Sequence, residues 1–105
     1  MDDVRVHTGT MVVDLLLPRA ESLKDRRGPL RALVQRLRNQ EFAVAQVGPA
    51  DLHQRVFLAV AAVSGDSSTV AERLDVAERM IFASEFEVGE LRRDGSVITY
   101  SSLGN

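Results

Sequence analysis

The chain has 105 residues, 45% hydrophobic and 27% charged, which suits one globular domain with a modest core and excludes a disordered chain. It contains no cysteine, so disulfides, zinc–thiolate centres and cysteine nucleophiles are excluded. The sequence shows neither a signal-peptide pattern nor an apolar run long enough for a membrane helix, so a cytoplasmic protein with no membrane partner is expected.

Residues 1–8 read as a short N-terminal extension of a single domain spanning residues 1–105. Over residues 9–17, Met11, Val13, Leu15 and Leu17 alternate with Thr10, Val12, Asp14 and Leu16, the period of a strand. Pro18 ends it, having no N–H to donate. Ser22-Leu23-Lys24-Asp25 resembles a capping box, and Leu30, Leu33, Val34 and Leu37 follow at helical spacing. Together they predict a first helix over residues 22–39. Pro29 conflicts with it, because a proline removes one ladder bond and crowds the carbonyl four residues back. Either the helix kinks there, or its regular part begins near Pro29.

Residues 42–47 read as a short strand, 48–51 as a turn and 52–64 as a long strand. In that long strand Val56, Leu58, Val60 and Ala62 share one face, and His53, Arg55, Phe57, Ala59 and Ala61 share the other. Asp66 or Thr69 caps a second helix, whose wide apolar face holds Val70, Leu74, Ala77 and Ile81 and which ends near Phe86. Residues 87–93 read as a strand. Asp94-Gly95 then marks either a hairpin into a fifth short strand over residues 97–101 or a bulge in one long strand.

The order β-α-β-β-α-β predicts an α+β, ferredoxin-like split βαβ fold. Its antiparallel sheet has the order 4-1-3-2, with both helices on one face and room for the extra C-terminal strand. Met11, Val13, Leu15, Val56, Leu58 and Val60 should be buried beneath Leu33, Leu37, Leu74 and Ile81.

Leu17-Pro18, Ser22-Leu23-Lys24 with basic residues after it, Val47-Gly48, and Asp51-Leu52-His53-Gln54-Arg55 resemble the YlxP-like family of small bacterial proteins. The resemblance covers about residues 9–91. It departs from the family at His53, where an aromatic is usual, and at Gly28-Pro29, where a basic or aliphatic pair is usual. It implies a ferredoxin-like fold. The family's genes often neighbour those of transcription, translation initiation and ribosome maturation, which implies an RNA-related role by association.

The residues themselves offer no catalytic constellation and imply no cofactor. The only histidines, His7 and His53, should fall at opposite ends of the sheet, so no metal site is expected. Ser64, Ser67, Ser68 and Thr69 read as helix-capping residues. Asp51, His53 and Arg55 read as a hydrogen-bonded junction rather than an acid–base site.

Two surfaces remain. The formal charge is −2 overall, but residues 19–38 carry seven cations against Glu21 and Asp25, a local excess of five. At 100° per residue Lys24, Arg27, Arg31 and Arg38 fall within about 60° of one another; with Arg55 they are the nucleic-acid-binding candidates. The sheet face without helices should carry Val12, Leu16, His53, Phe57, Ala59 and Ala61, a patch apolar enough to mark an interface. The sequence therefore predicts a non-enzymatic accessory protein that meets RNA or a ribosomal particle through the basic stripe. The alternative is a protein–protein module or homodimer that uses the open sheet face.

Overall fold

The computed structural model describes residues 3–101. Six elements follow one another: β1 (Val4–Leu16), α1 (Leu23–Asn39), β2 (Ala43–Val47), β3 (Arg55–Ser64), α2 (Ser67–Phe82) and β4 (Glu87–Tyr100). The strands form one antiparallel sheet in the order β2-β3-β1-β4, the order expected of the split βαβ fold. Met11, Val13 and Leu15 of β1 and Val56, Leu58 and Val60 of β3 are wholly buried. They pack with Leu33 and Leu37 of α1 and with Leu74, Ala77 and Ile81 of α2 in one core, so both helices cover the same sheet face. Burying each of the larger side chains, Ala77 aside, contributes about 1.5–3 kcal/mol, which makes this layer the main source of stability.

α1 is continuous through Pro29. Its start is close to the capping box read from the sequence: Asp25 N–H donates to Ser22 Oγ (3.3 Å), while Asp25 Oδ2 accepts from the N–H of Glu21 (2.9 Å), one residue before the N-cap Ser22. The bond forfeited at Pro29 is offset by Leu33 and Leu37 in the core, with Leu30 and Val34 packed against it. At the other end Glu41 N–H donates to the Arg38 carbonyl and Phe42 N–H to the Leu37 carbonyl. This is a Schellman closure, and it places Phe42 in the core beside Leu37. The left-handed position belongs to Glu41, at φ 68°, where glycine would be less strained.

Several sequence boundaries are corrected. The expected extension over residues 1–8 is strand from Val4 onward, because Val4 to Thr8 pair with Ser96 to Tyr100 of β4; Met1 and Asp2 lie outside the described residues. Asp94-Gly95 makes neither a hairpin nor a bulge. It lies within one long strand opposite Thr10 and Gly9. The bulge is elsewhere: between the Val13–Leu91 and Leu15–Val88 pairs, Gly89 and Glu90 face the single residue Asp14. A Cβ on Gly89 would come within 2.9 Å of Asp14 Oδ2, so the side chain of Asp14 occupies that space. β3 begins at Arg55, so His53 lies in the preceding turn and not on a strand. α2 ends at Phe82, and Phe86 returns to the core from the connection that follows.

At one end of the domain a loop, residues 48–54, is held by side chains rather than by a ladder. Gly48 turns the chain with φ 71°. Arg26, 6% exposed, reaches under the loop. Its Nη1 donates to the carbonyls of Leu52 (2.7 Å) and Arg55 (2.8 Å), and its Nη2 to that of Ala50 (3.3 Å). Gln54 Nε2 donates to the carbonyls of Pro18 and Ala20, and Leu17 N–H donates to the Gln54 carbonyl. The two loops at this end are thus clamped to each other and to α1.

Truncating Leu58 to Ala should cost about 2–5 kcal/mol in urea unfolding. Glu41→Gly should raise stability by about 0.5–1 kcal/mol, read as a higher Tm, because relief of the left-handed strain outweighs the added freedom of the unfolded chain. Arg26→Met should cost about 2–3 kcal/mol, since part-buried carbonyls lose their donors; hydrogen exchange should then speed up across residues 50–55 while the β1 and β3 amides stay protected.

Candidate functional site

The fold sends the two candidate surfaces to opposite sides of the sheet. On the helical side, α1 is regular from Leu23 to Asn39, so the angular argument for the basic stripe holds. Lys24, Arg27, Arg31 and Arg38 are all exposed. Among the described residues none of them forms an ion pair; the ion pairs involve Arg55, Arg92 and Arg93. Arg38 Nη2 donates to the Val44 carbonyl at 3.2 Å, which lays the far end of the stripe along the edge strand β2. Lys24, Arg27 and Arg31 lead from there toward the clamped loop end.

Arg55 does not join them. Its Nε and Nη2 donate to the two carboxylate oxygens of Asp14 at 2.8 and 2.7 Å, and its guanidinium lies over the Phe57 ring, 5.0 Å from the centroid. The hydrogen bond to Asp14 and the nearby carboxylate charge raise the Arg55 pKa above its ordinary value. This bidentate, stacked guanidinium is occupied within the open sheet face.

That face carries Val12, Leu16, Phe57, Ala59 and Ala61, as expected. Leu16, Phe57, Ala59 and Ala61 are half-buried and Val12 is exposed. His53 is exposed in its turn at the loop end, off the sheet. The register extends the face beyond the sequence reading. Ala43, Ala45 and Val47 of β2 stand opposite Ala61, Ala59 and Phe57, and Val63 continues β3 with 68% of its surface exposed. Past the end of β3, Val4 and Val6 stand opposite Tyr100 and Ile98, so the same apolar strip runs onto a protruding two-stranded arm.

No group of three His, Cys, Asp or Glu side chains suited to a metal occurs among the described residues. His7 sits at the base of the arm, opposite Ser64 and Val97, and His53 lies at the other end of the sheet. The capping cluster at α2 is a closed local network. Asp66 accepts from the hydroxyls of Ser68 (2.7 Å) and Thr69 (2.9 Å), and these bonds, Ser68 first, hold its carboxyl below the ordinary range.

Sequence reasoning missed Arg26, Gln54 and the arm. Arg26 had a signal: it lies four, seven and eleven residues before Leu30, Leu33 and Leu37, on the apolar face of α1. A cation at a core-facing position needs buried acceptors. The carbonyls it meets belong to a distant loop, which no local pattern reveals.

No helix among the described residues is long and apolar enough to cross a membrane. No curated protein matches the chain. Among solved structures, the de novo designed protein Ferredog-Diesel is 15% identical over 83% of each chain, with a TM-score of 0.50. The de novo designed protein Foldit4 is 14% identical over 86% of this chain and 96% of its own, with a TM-score of 0.45. The first likeness bears on the fold alone. A family described as "Protein of unknown function (DUF503)" matches residues 8–93. That span takes in both helices, β2, β3, the clamped loop end and most of β1, and the chain belongs to this family.

Proposed function

We propose that the protein is a non-enzymatic accessory factor that associates with RNA, free or in a ribosomal particle, through the cationic stripe of α1. The observation that carries this reading is the set of four exposed cations, Lys24, Arg27, Arg31 and Arg38, with no carboxylate paired to any of them among the described residues. A solvated helix face usually interleaves both signs and gains from i,i+4 pairs; this one leaves its positive field unopposed. Lys24 to Arg38 spans about 21 Å of helix axis, long enough to follow several phosphates of a single strand.

The resemblance to the bacterial YlxP-like group, whose gene neighbourhood is that of transcription and translation, supports an RNA partner and a cytoplasmic location. The motifs that carry it, Leu17-Pro18, Ser22-Leu23-Lys24 and residues 51–55, gather at the clamped loop end beside the first turns of α1. Base stacking on the sheet is the weaker route. Of the aromatics there, Phe57 is already covered by Arg55.

Fluorescence anisotropy with mixed-sequence single-stranded RNA tests the reading. The wild type should bind at low salt, with log K falling against log salt at a slope of about −2 to −3, as three or four phosphate contacts require. Replacing Lys24, Arg27 and Arg31 with Glu should abolish binding and leave the circular dichroism unchanged. A wild type with no affinity for RNA at low salt would sink the proposal.

A further inference from the structure

We infer that the open sheet face and its arm bind a second copy of this chain, sheet against sheet, an inference independent of the RNA reading. The starting point is area. Val63 is 68% exposed, Ile98 65%, Tyr100 60%, Val4 51% and Val12 39%, and all five lie on the face that the helices leave open. Their exposed surface alone is about 500 Å² per copy, at the upper end of what a soluble monomer leaves in one patch, the size at which such patches are often functional. Two copies face to face would remove on the order of 1,000 Å² from these residues alone, the lower threshold for a biological interface, and the flanking Leu16, Phe57, Ala59 and Ala61 add to it.

The arm says what kind of partner is needed. Beyond His7, which pairs with Ser64 at the end of β3, β1 pairs only with β4. A two-stranded ribbon is marginal in water by itself. The first turns of α2 reach only the base of this one, where Ser67 and Val70 share a groove with His7 and Val97; residues 96–100 carry no charge, and Arg5 is the cation on the other strand. In a two-fold pair with antiparallel strands, each arm lies across its partner's sheet, so one operation covers both arms and both faces.

Charge selects a like partner. On the face Asp14 is paired with Arg55 and Glu90 with Arg92, so its centre is close to neutral; the carboxylates outside those pairs, Glu87 and Asp94, stand on the edge strand β4, opposite Leu16 and Thr10. Two copies that meet at the centre do so without a clash of charge there. An acidic or basic partner would find no complementary field, and the unpaired cations lie on the opposite side of the sheet, on α1.

Sedimentation velocity on the full chain across a concentration series tests this. The wild type should reach the mass of two chains with little dependence on salt. Ile98→Glu on the arm and, separately, Val63→Lys on β3 should each weaken association about thirtyfold or more with the helical signal retained. The triple variant Lys24→Glu, Arg27→Glu and Arg31→Glu should still dimerise, which separates this test from the RNA test. Should a face variant fail to fold, hydrogen exchange of the wild type at low and high concentration decides instead: protection gained in β4 residues 96–100 supports the pairing. A wild type that stays monomeric at its highest soluble concentration, or a dimer protected elsewhere, overturns it.

Discussion

Two helices laid side by side cover one face of a four-stranded sheet, and the described residues supply two. The contrast between the two faces of the sheet follows from that shortage. The covered face takes Met11, Val13, Leu15, Val56, Leu58 and Val60 to full burial. The other face keeps Val12, Phe57 and Val63 on the same strands, one residue out of phase. A sheet open to water on one side ordinarily alternates apolar with polar, yet β3 is apolar on both faces from Val56 to Val63. The conflict between that composition and the missing layer marks the open face as a surface with a use.

The parts of the fold legible in the sequence were those governed by local period. Alternation located the central strands, helical spacing located Leu33, Leu37, Leu74 and Ile81, and Ser22 with Asp25 announced a cap. What escaped was set by pairing between distant segments. Val4 and Val6 alternate with Arg5 and His7, but their strand character depends on Ile98 and Tyr100, more than ninety residues away. Asp94-Gly95 has the chemistry of a hairpin turn. It stays extended because β1 continues opposite it through Gly9 and Thr10, and a continuous ladder outweighs a two-residue turn preference.

The same division holds for the candidate surfaces. The basic stripe depends on helical angle alone and survives intact because α1 runs unbroken through Pro29. Arg55 belonged to the same set of cations in the sequence, but its fate was decided by Asp14, forty-one residues earlier, which takes both ends of the guanidinium. Arg26 counted as surface charge until the loop carbonyls of Ala50, Leu52 and Arg55 were placed around it. A buried guanidinium that meets backbone dipoles and no carboxylate is a costly way to seat a loop. Its presence argues that the shape of residues 48–54 matters at this end of the domain.

The two surfaces also constrain each other. If the open faces join, the layers run helices, sheet, sheet, helices, and the α1 stripes of the two copies face outward on opposite sides of the pair. A short RNA could then occupy only one stripe at a time, with the affinity of a single helix face. A longer or folded RNA that reaches around the pair could occupy both, and its second contact would form at a high effective concentration set by the path between the stripes. Self-association through an apolar, nearly neutral face would in this way favour large structured RNA over short strands without adding a single new contact to either, a preference that follows only if both proposed surfaces act together.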